Sequence, residues 1–185
     1  MAVLTIFAGA NGSGKSSIIR KIEFAGRENL LEADAIAAHM HASDPQAAAI
    51  AAGREVLSQT QRYLDSGHDF AIETTLSGTW TTKAIRQALE RLFIVRVVYV
   101  CLDTPERCIQ RVHERVAQGG HSVPDQDVRR RYLRSLSNLK QILKIVNEAL
   151  LYDNSGPEPR LVMEMRSGHR VWMTSDMPEW TRDLL

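Results

Sequence analysis

Val3-Leu4-Thr5-Ile6-Phe7-Ala8 runs straight into Gly9-Ala10-Asn11-Gly12-Ser13-Gly14-Lys15-Ser16, and this stretch decides the fold. The first six residues carry no charge and read as a strand buried on both faces. The next eight match Gly-x-x-x-x-Gly-Lys-Ser, the phosphate-binding P-loop. Glycines let backbone N–H groups converge on phosphate oxygens, and a following helix turns its positive N-terminus toward them. Ile18, Ile19 and Ile22 recur at helical spacing, so that helix is expected from Ser13 to about Ala25. Gly9, Ala10, Asn11, Gly12, Ser13, Gly14, Lys15, Ser16 and Ser17 are therefore expected to hold a nucleoside triphosphate. Lys15 would reach its β- and γ-phosphates, and the Ser16 hydroxyl would ligate Mg²⁺.

Outward from the loop, strand and helix patterns alternate. A short strand through Leu30-Leu31 is expected to end at Asp34. An alanine-rich helix follows from about Asp44, with Pro45 in its first turn, to Ser66 and Gly67. Phe70-Ala71-Ile72 reads as a strand leading into Glu73-Thr74-Thr75, with a helix over about 79–92. Ile94–Leu102 is too apolar to alternate and suits a central parallel strand. A helix from Asp103-Thr104-Pro105 to about Gln118, a Gly119-Gly120 break and a long helix from Asp125 to about Glu148 come next. After a short strand and the turn Asp153–Pro157, Leu161–Met165 and Val171–Met173 read as a hairpin. The pattern implies an α/β three-layer sandwich: a doubly wound, mostly parallel sheet with helices on both faces. An arginine-bearing lid over about 104–135 and a C-terminal β-hairpin complete a single domain over 1–185.

Composition narrows the function. Among 185 residues, 44% are hydrophobic and 24% charged, which excludes wholesale disorder, a coiled coil or a disulfide scaffold. A net charge of +1 gives no global field for nucleic acid or an anionic membrane. Cys101 and Cys108 fit no metal spacing and read as reduced thiols. The opening apolar run has no charged flank, so it is not a secretory signal. No apolar run approaches the ~18 residues of a membrane helix, and a cytoplasmic protein is expected.

Several features bear on what the nucleotide does. No Asn-Lys-x-Asp guanine reader occurs, Leu76-Ser77-Gly78-Thr79 falls one glycine short of a transporter signature, and the length leaves no room for the extra domain of an AAA-type motor. Phosphoryl transfer remains, needing a base at the acceptor hydroxyl, Mg²⁺ and cations around the transferring group. Asp34 ends a strand on the ligand rim and could take the acceptor's proton, or cap the helix that follows. Glu73 and Thr75 on the same rim could bind a polar acceptor. Asp103 could act on Mg²⁺ through water or cap a helix. Residues 104–144 hold nine basic against four acidic side chains, +5 in a chain that totals +1. Arg107, Arg111 and Arg115 are spaced by four along one helix face. Folded over the nucleotide, such helices would expel water and bring guanidinium groups to the phosphates. No nucleic-acid module is present, and nucleic acid is not an expected partner.

Taken together, these segments resemble the zeta-toxin family of P-loop kinases. The likeness runs through Gly9–Ser17, Ala33–Ala37, Phe70–Thr75, Val100–Glu106, Arg111…Arg115…Gly119-Gly120-His121-Ser122-Val123-Pro124, Arg130-Arg131-Tyr132 and Tyr152–Gly156. It implies ATP and Mg²⁺, a small-molecule hydroxyl acceptor of the UDP-N-acetylglucosamine kind, and room for an antitoxin partner. By position, Asp34 would be the base, Glu73 and Thr75 would hold the acceptor, and Asn154 would lie near adenine. Arg115 and one of Arg130 or Arg131 would be lid arginines. Glu32 and Ala33 stand where the family often has Asn before the aspartate, and Ser77 stands where sugar-phosphorylating members carry arginine. An antibiotic or polynucleotide kinase, and an ATP-gated binding module, are the alternative readings.

Overall fold

The computed structural model describes residues 1–40 and 48–184. Its strands are β1 (Val3–Ala8), β2 (Leu30–Glu32), β3 (Phe70–Thr74), β4 (Ile94–Cys101), β5 (Glu148–Asp153), β6 (Arg160–Arg166) and β7 (His169–Met173). They form one seven-stranded sheet in the order β2-β3-β1-β4-β5-β6-β7. The first five strands in that order are parallel, and β6 and β7 run antiparallel as a hairpin. The chain leaves β1 between β3 and β4, which connect to opposite sides of it. This reversal point is where a parallel sheet opens a ligand crevice at its C-terminal ends.

The helices are α1 (Lys15–Lys21), α2 (Ala33–Met40), α3 (Ala49–Ser66), α4 (Trp80–Glu90), α5 (Pro105–Ala117) and α6 (Asp125–Ile142). β1 and β4 are apolar on both faces because both faces are covered. Leu4, Ile6, Val97 and Tyr99 pack with Val56, Ile85, Val112 and Leu139 from α3, α4, α5 and α6. Phe7, Val98 and Val100 pack on the other face against Ile18 and Ile19 of α1. The Phe24 ring closes that side edge-on to Phe7, at 4.6 Å between centroids.

Three boundaries differ from the sequence reading. α1 stops at Lys21 because the Arg27 guanidinium donates to the carbonyls of Ile19 and Ile22, capping the helix end. α6 stops at Ile142, and Asn147 then brackets β4, donating from its backbone to the Val95 carbonyl and accepting the Val95 N–H on its side chain. β2 stops at Glu32 and α2 starts at Ala33, so Asp34 sits in a first helical turn; it neither ends the strand nor caps the helix. Thr104, not Asp103, caps α5, its hydroxyl accepting the Arg107 N–H with Pro105 beside it. The helix start expected at Asp44–Pro45 lies outside the described residues. Among the described residues, no helix is long and apolar enough to cross a membrane.

Candidate functional site

The loop from Gly9 to Gly14 joins β1 to α1 in a shape only small residues allow. Gly12 has φ +78°, and a Cβ there would lie 2.3 Å from the Cys108 carbonyl oxygen. Gly14 has φ +99°, and its Cβ would meet the Asn154 amide nitrogen at 2.1 Å. That nitrogen donates to the Ser13 carbonyl at 2.8 Å, so a residue at the end of β5 buttresses the loop from behind. The buried Ser13 hydroxyl has no hydrogen-bond partner. Asn154 is thus a strut of the loop. A second cleft of about 330 Å³ beside it is lined by Ser17, Arg111, Asn154, Pro157 and Pro159.

In front of the loop lies a cleft of about 600 Å³, polar along much of its wall. Asn11, Lys15, Ser16, Arg115 and Arg131 line its loop side. The Lys15 ammonium is buried, donates to the Ala10 carbonyl at 3.1 Å and stands 3.5 Å from Glu73 Oε1. Arg131 donates to Asn11 Oδ1 at 3.0 Å, and Arg115 donates to the His121 carbonyl at 2.9 Å. Arg130 does not line the cleft; it pairs with Asp127 at 2.9 Å on the surface. The helical rotation of about 100° between neighbours separates it from Arg131.

The α5 arginines divide as well. Arg107 pairs with Asp103 at 3.0 Å and donates to the Ser155 carbonyl at 2.7 Å, while Arg111 donates to the Asn154 carbonyl at 3.0 Å. These two hold the turn after β5, leaving Arg115 at the cleft. Asp103 is therefore tied to Arg107, and Ser155 receives its backbone N–H at 2.8 Å.

The opposite wall carries Glu32, Asp34, Glu73, Thr75, Ser77, Gly78 and Trp80. Glu32 and Glu73 are register partners on β2 and β3, so their side chains project side by side. Burial, a shared hydrogen bond and the charge of Glu73, with Asp34 adding and Arg20 opposing, raise the Glu32 carboxyl from 4.5 to about 7. The rim after β3 is held by an unusual backbone: buried Leu76 sits at φ +54°. Its N–H donates to Thr74 Oγ1 at 3.1 Å, and Asn138 of α6 donates to its carbonyl at 2.8 Å. Thr75 and Ser77 hydroxyls meet at 2.9 Å within that turn. Trp80 and Asn138 were missed from the sequence; a lone tryptophan opening a helix just past a strand-end turn was the available signal for the first.

The cradle fits a magnesium–nucleotide. Its glycines are required by close contacts, and Lys15 and Ser16 line the same cleft. No cluster of three or more His, Cys, Asp or Glu among the described residues could hold a metal by protein ligands alone. Mg²⁺ keeps its waters and leans on phosphate oxygens with few protein donors, and Ser16 is the residue of the cradle that could hold it.

Known proteins were compared with this geometry. An uncharacterized protein of Haemophilus influenzae is 30% identical over 126 residues, 68% of this chain and 89% of that one. Among solved structures, the AvrRxo1-ORF1:ORF2 complex superposes with a TM-score of 0.70 at 13% identity, over 92% of this chain. The chain spans only 60% of the length of that structure, which has also been solved with ATP. A structure from the PezAT chromosomal toxin–antitoxin system of Streptococcus pneumoniae gives 0.65 at 17% identity, covering 89% of this chain and 72% of that one. At such identities the likeness is one of fold. The model of an AAA-domain family, AAA_33, matches residues 4–139, from β1 through the loop and both cleft walls to α6. The sequence reading had set aside an AAA-type motor for lack of an extra domain; the match is to the nucleotide-binding core itself. Carrying that core, the chain belongs to the AAA-domain family, as a P-loop kinase-like domain.

Proposed function

We propose that the protein is an ATP-dependent, zeta-toxin-like kinase that transfers the γ-phosphoryl group to a hydroxyl of a small molecule. One observation carries the reading: a phosphate cradle with Lys15, Arg115 and Arg131 shares a single cleft with the Asp34 carboxylate. Phosphoryl transfer needs that pairing, with cations where charge spreads and a base at the acceptor. In this reading Gly9 to Ser17 bind the triphosphate and Ser16 takes Mg²⁺, which would neutralise phosphate charge. Lys15 leaves Glu73 for the phosphates, and Arg115 and Arg131 close on the transferring group from the lid formed by residues 104–135. Asp34 accepts the acceptor's proton, and Glu73 and Thr75 orient it. Adenine fits the second cleft, between Arg111 and the Pro157–Pro159 segment. Likeness to zeta toxins makes UDP-N-acetylglucosamine the first acceptor to assay, and it brings an antitoxin partner into the same proposal, as PezAT belongs to a toxin–antitoxin system.

Incubation with Mg²⁺–ATP and nucleotide sugars, aminoglycosides, simple sugars and 5′-hydroxyl oligonucleotides, read by mass spectrometry, tests the reading. One added phosphoryl group is expected with the natural protein and none with Asp34→Asn. Lys15→Ala is expected to lose ATP binding in calorimetry. Transfer by Asp34→Asn at the natural rate would remove Asp34 from the mechanism, and unaltered ATP affinity in Lys15→Ala would remove the cradle.

A further inference from the structure

The cleft is electrically divided. Lys15, Arg115 and Arg131 occupy the loop side, while the acceptor wall holds Glu32, Asp34 and Glu73 and, among the described residues, no lysine or arginine of its own. Arg20 lies close enough to offset part of the Glu32 charge but does not line the cleft. Adjacent parallel strands fix Glu32 beside Glu73 through the backbone, so the two side chains leave the sheet side by side.

Glu73 already holds an ammonium. Lys15 Nζ stands 3.5 Å from it, with only 7% of the lysine side chain exposed. Phosphates bound at the cradle would draw that ammonium toward themselves, leaving Glu73 beside Glu32 without its counter-ion. Two carboxylates so placed regain balance by sharing a proton or by receiving another cation. Trp80, on the same wall, is an aromatic side chain of the kind that attracts ammonium groups. A diphosphate on this wall would instead meet like charge, with Ser77 supplying a neutral hydroxyl.

We propose that the acceptor is a cationic amino alcohol or amino sugar, its protonated amine held between Glu32 and Glu73 and its hydroxyl presented to Asp34. The inference rests on the kinase reading and replaces only the class of acceptor. Glu32 is then the residue that selects the amine.

The test uses the full chain loaded with Mg²⁺ and a non-hydrolysable ATP analogue at pH 7, titrated calorimetrically with matched pairs. Glucosamine is set against N-acetylglucosamine, and kanamycin against its N-acetylated form, which differ at the amine and keep the hydroxyls. UDP-N-acetylglucosamine is the anionic comparison. The amine member of at least one pair is expected to bind tenfold or more tightly than its acetylated partner, and Glu32→Gln is expected to bring that ratio near one. Because the readout is a ratio within one protein, a general loss of folded material does not imitate it. No amine preference in either pair, a preference that survives Glu32→Gln, or tight binding of the nucleotide sugar alone overturns the inference. So does a second Mg²⁺ equivalent bound by the natural protein and lost in Glu32→Gln, which assigns the carboxylates to metal. In each of these outcomes the kinase reading stands. That reading fails separately, if the analogue does not bind or binds Lys15→Ala equally well.

Discussion

Replacing Glu32 by Gln is expected to alter how stability depends on pH. The carboxyl is raised from 4.5 to about 7 by burial, by its hydrogen bond to Glu73 and by the charges of Glu73 and Asp34, against Arg20. The folded protein therefore holds this proton more tightly than the unfolded chain does. The associated stability is fully present below about pH 4.5 and is lost as pH rises through about 7. At full strength a shift of that size corresponds to about 3 kcal/mol. The side chain is only half-buried, so solvent screening leaves on the order of 1 kcal/mol. Gln keeps the shape and a donor toward Glu73 but has nothing to ionise. Urea unfolding at pH 5 and pH 8.5 reads the effect, since titrations common to both proteins cancel in the difference. The natural protein is expected to lose about 1 kcal/mol more than Glu32→Gln between those pH values, leaving the variant the more stable at pH 8.5. Parallel profiles, or a variant less stable at pH 8.5, would refute the account of a carboxyl pair confined by strand register.

Other perturbations have equally defined outcomes. Asn154→Ala removes the buried bond to the Ser13 carbonyl; urea unfolding should show a loss of about 1–2 kcal/mol, and calorimetry a weakened ATP analogue. Gly12→Ala combines φ +78° with a Cβ 2.3 Å from a backbone oxygen, so nucleotide binding is expected to disappear and the melting temperature to fall. Gly53→Ala, inside α3 with nothing within 4 Å of the new methyl, should add about 0.5–1 kcal/mol in urea unfolding. Burial pushes the thiols of Cys101 and Cys108 up to about 12. A disulfide reagent at pH 8 should thus modify neither thiol in the native protein and both after unfolding.

What could be read in advance was what neighbours in sequence settle. The P-loop and the strand before it are contiguous, so spacing alone located the cradle. The apolar run at Ile94–Cys101 likewise disclosed a strand covered on both faces. Spacing of four correctly put Arg107, Arg111 and Arg115 on one helix face, but only their partners decide their work. Asn154 and Ser155 claim the first two, and those carbonyls lie more than forty residues away. Arg130 and Arg131 could not be separated without the phase of α6. Asp34 was placed on the right rim but in the wrong element, because the β2–α2 boundary is set without a linking loop. The contact between Glu32 and Glu73 was out of reach for a simpler reason: it depends on which strands are neighbours and in what register.

The strut from Asn154 to Ser13 spans 141 residues. Every residue of the phosphate loop is synthesised well before residue 154, yet the loop is buttressed only after β5 has joined the sheet. A nascent chain interrupted before residue 154 has the motif and lacks its support. ATP affinity is thereby coupled to completion of the parallel sheet, and a contact of such long range is among the slower ones to form. Nucleotide binding during refolding would then report the arrival of the last parallel strand, not the folding of the segment that touches the nucleotide.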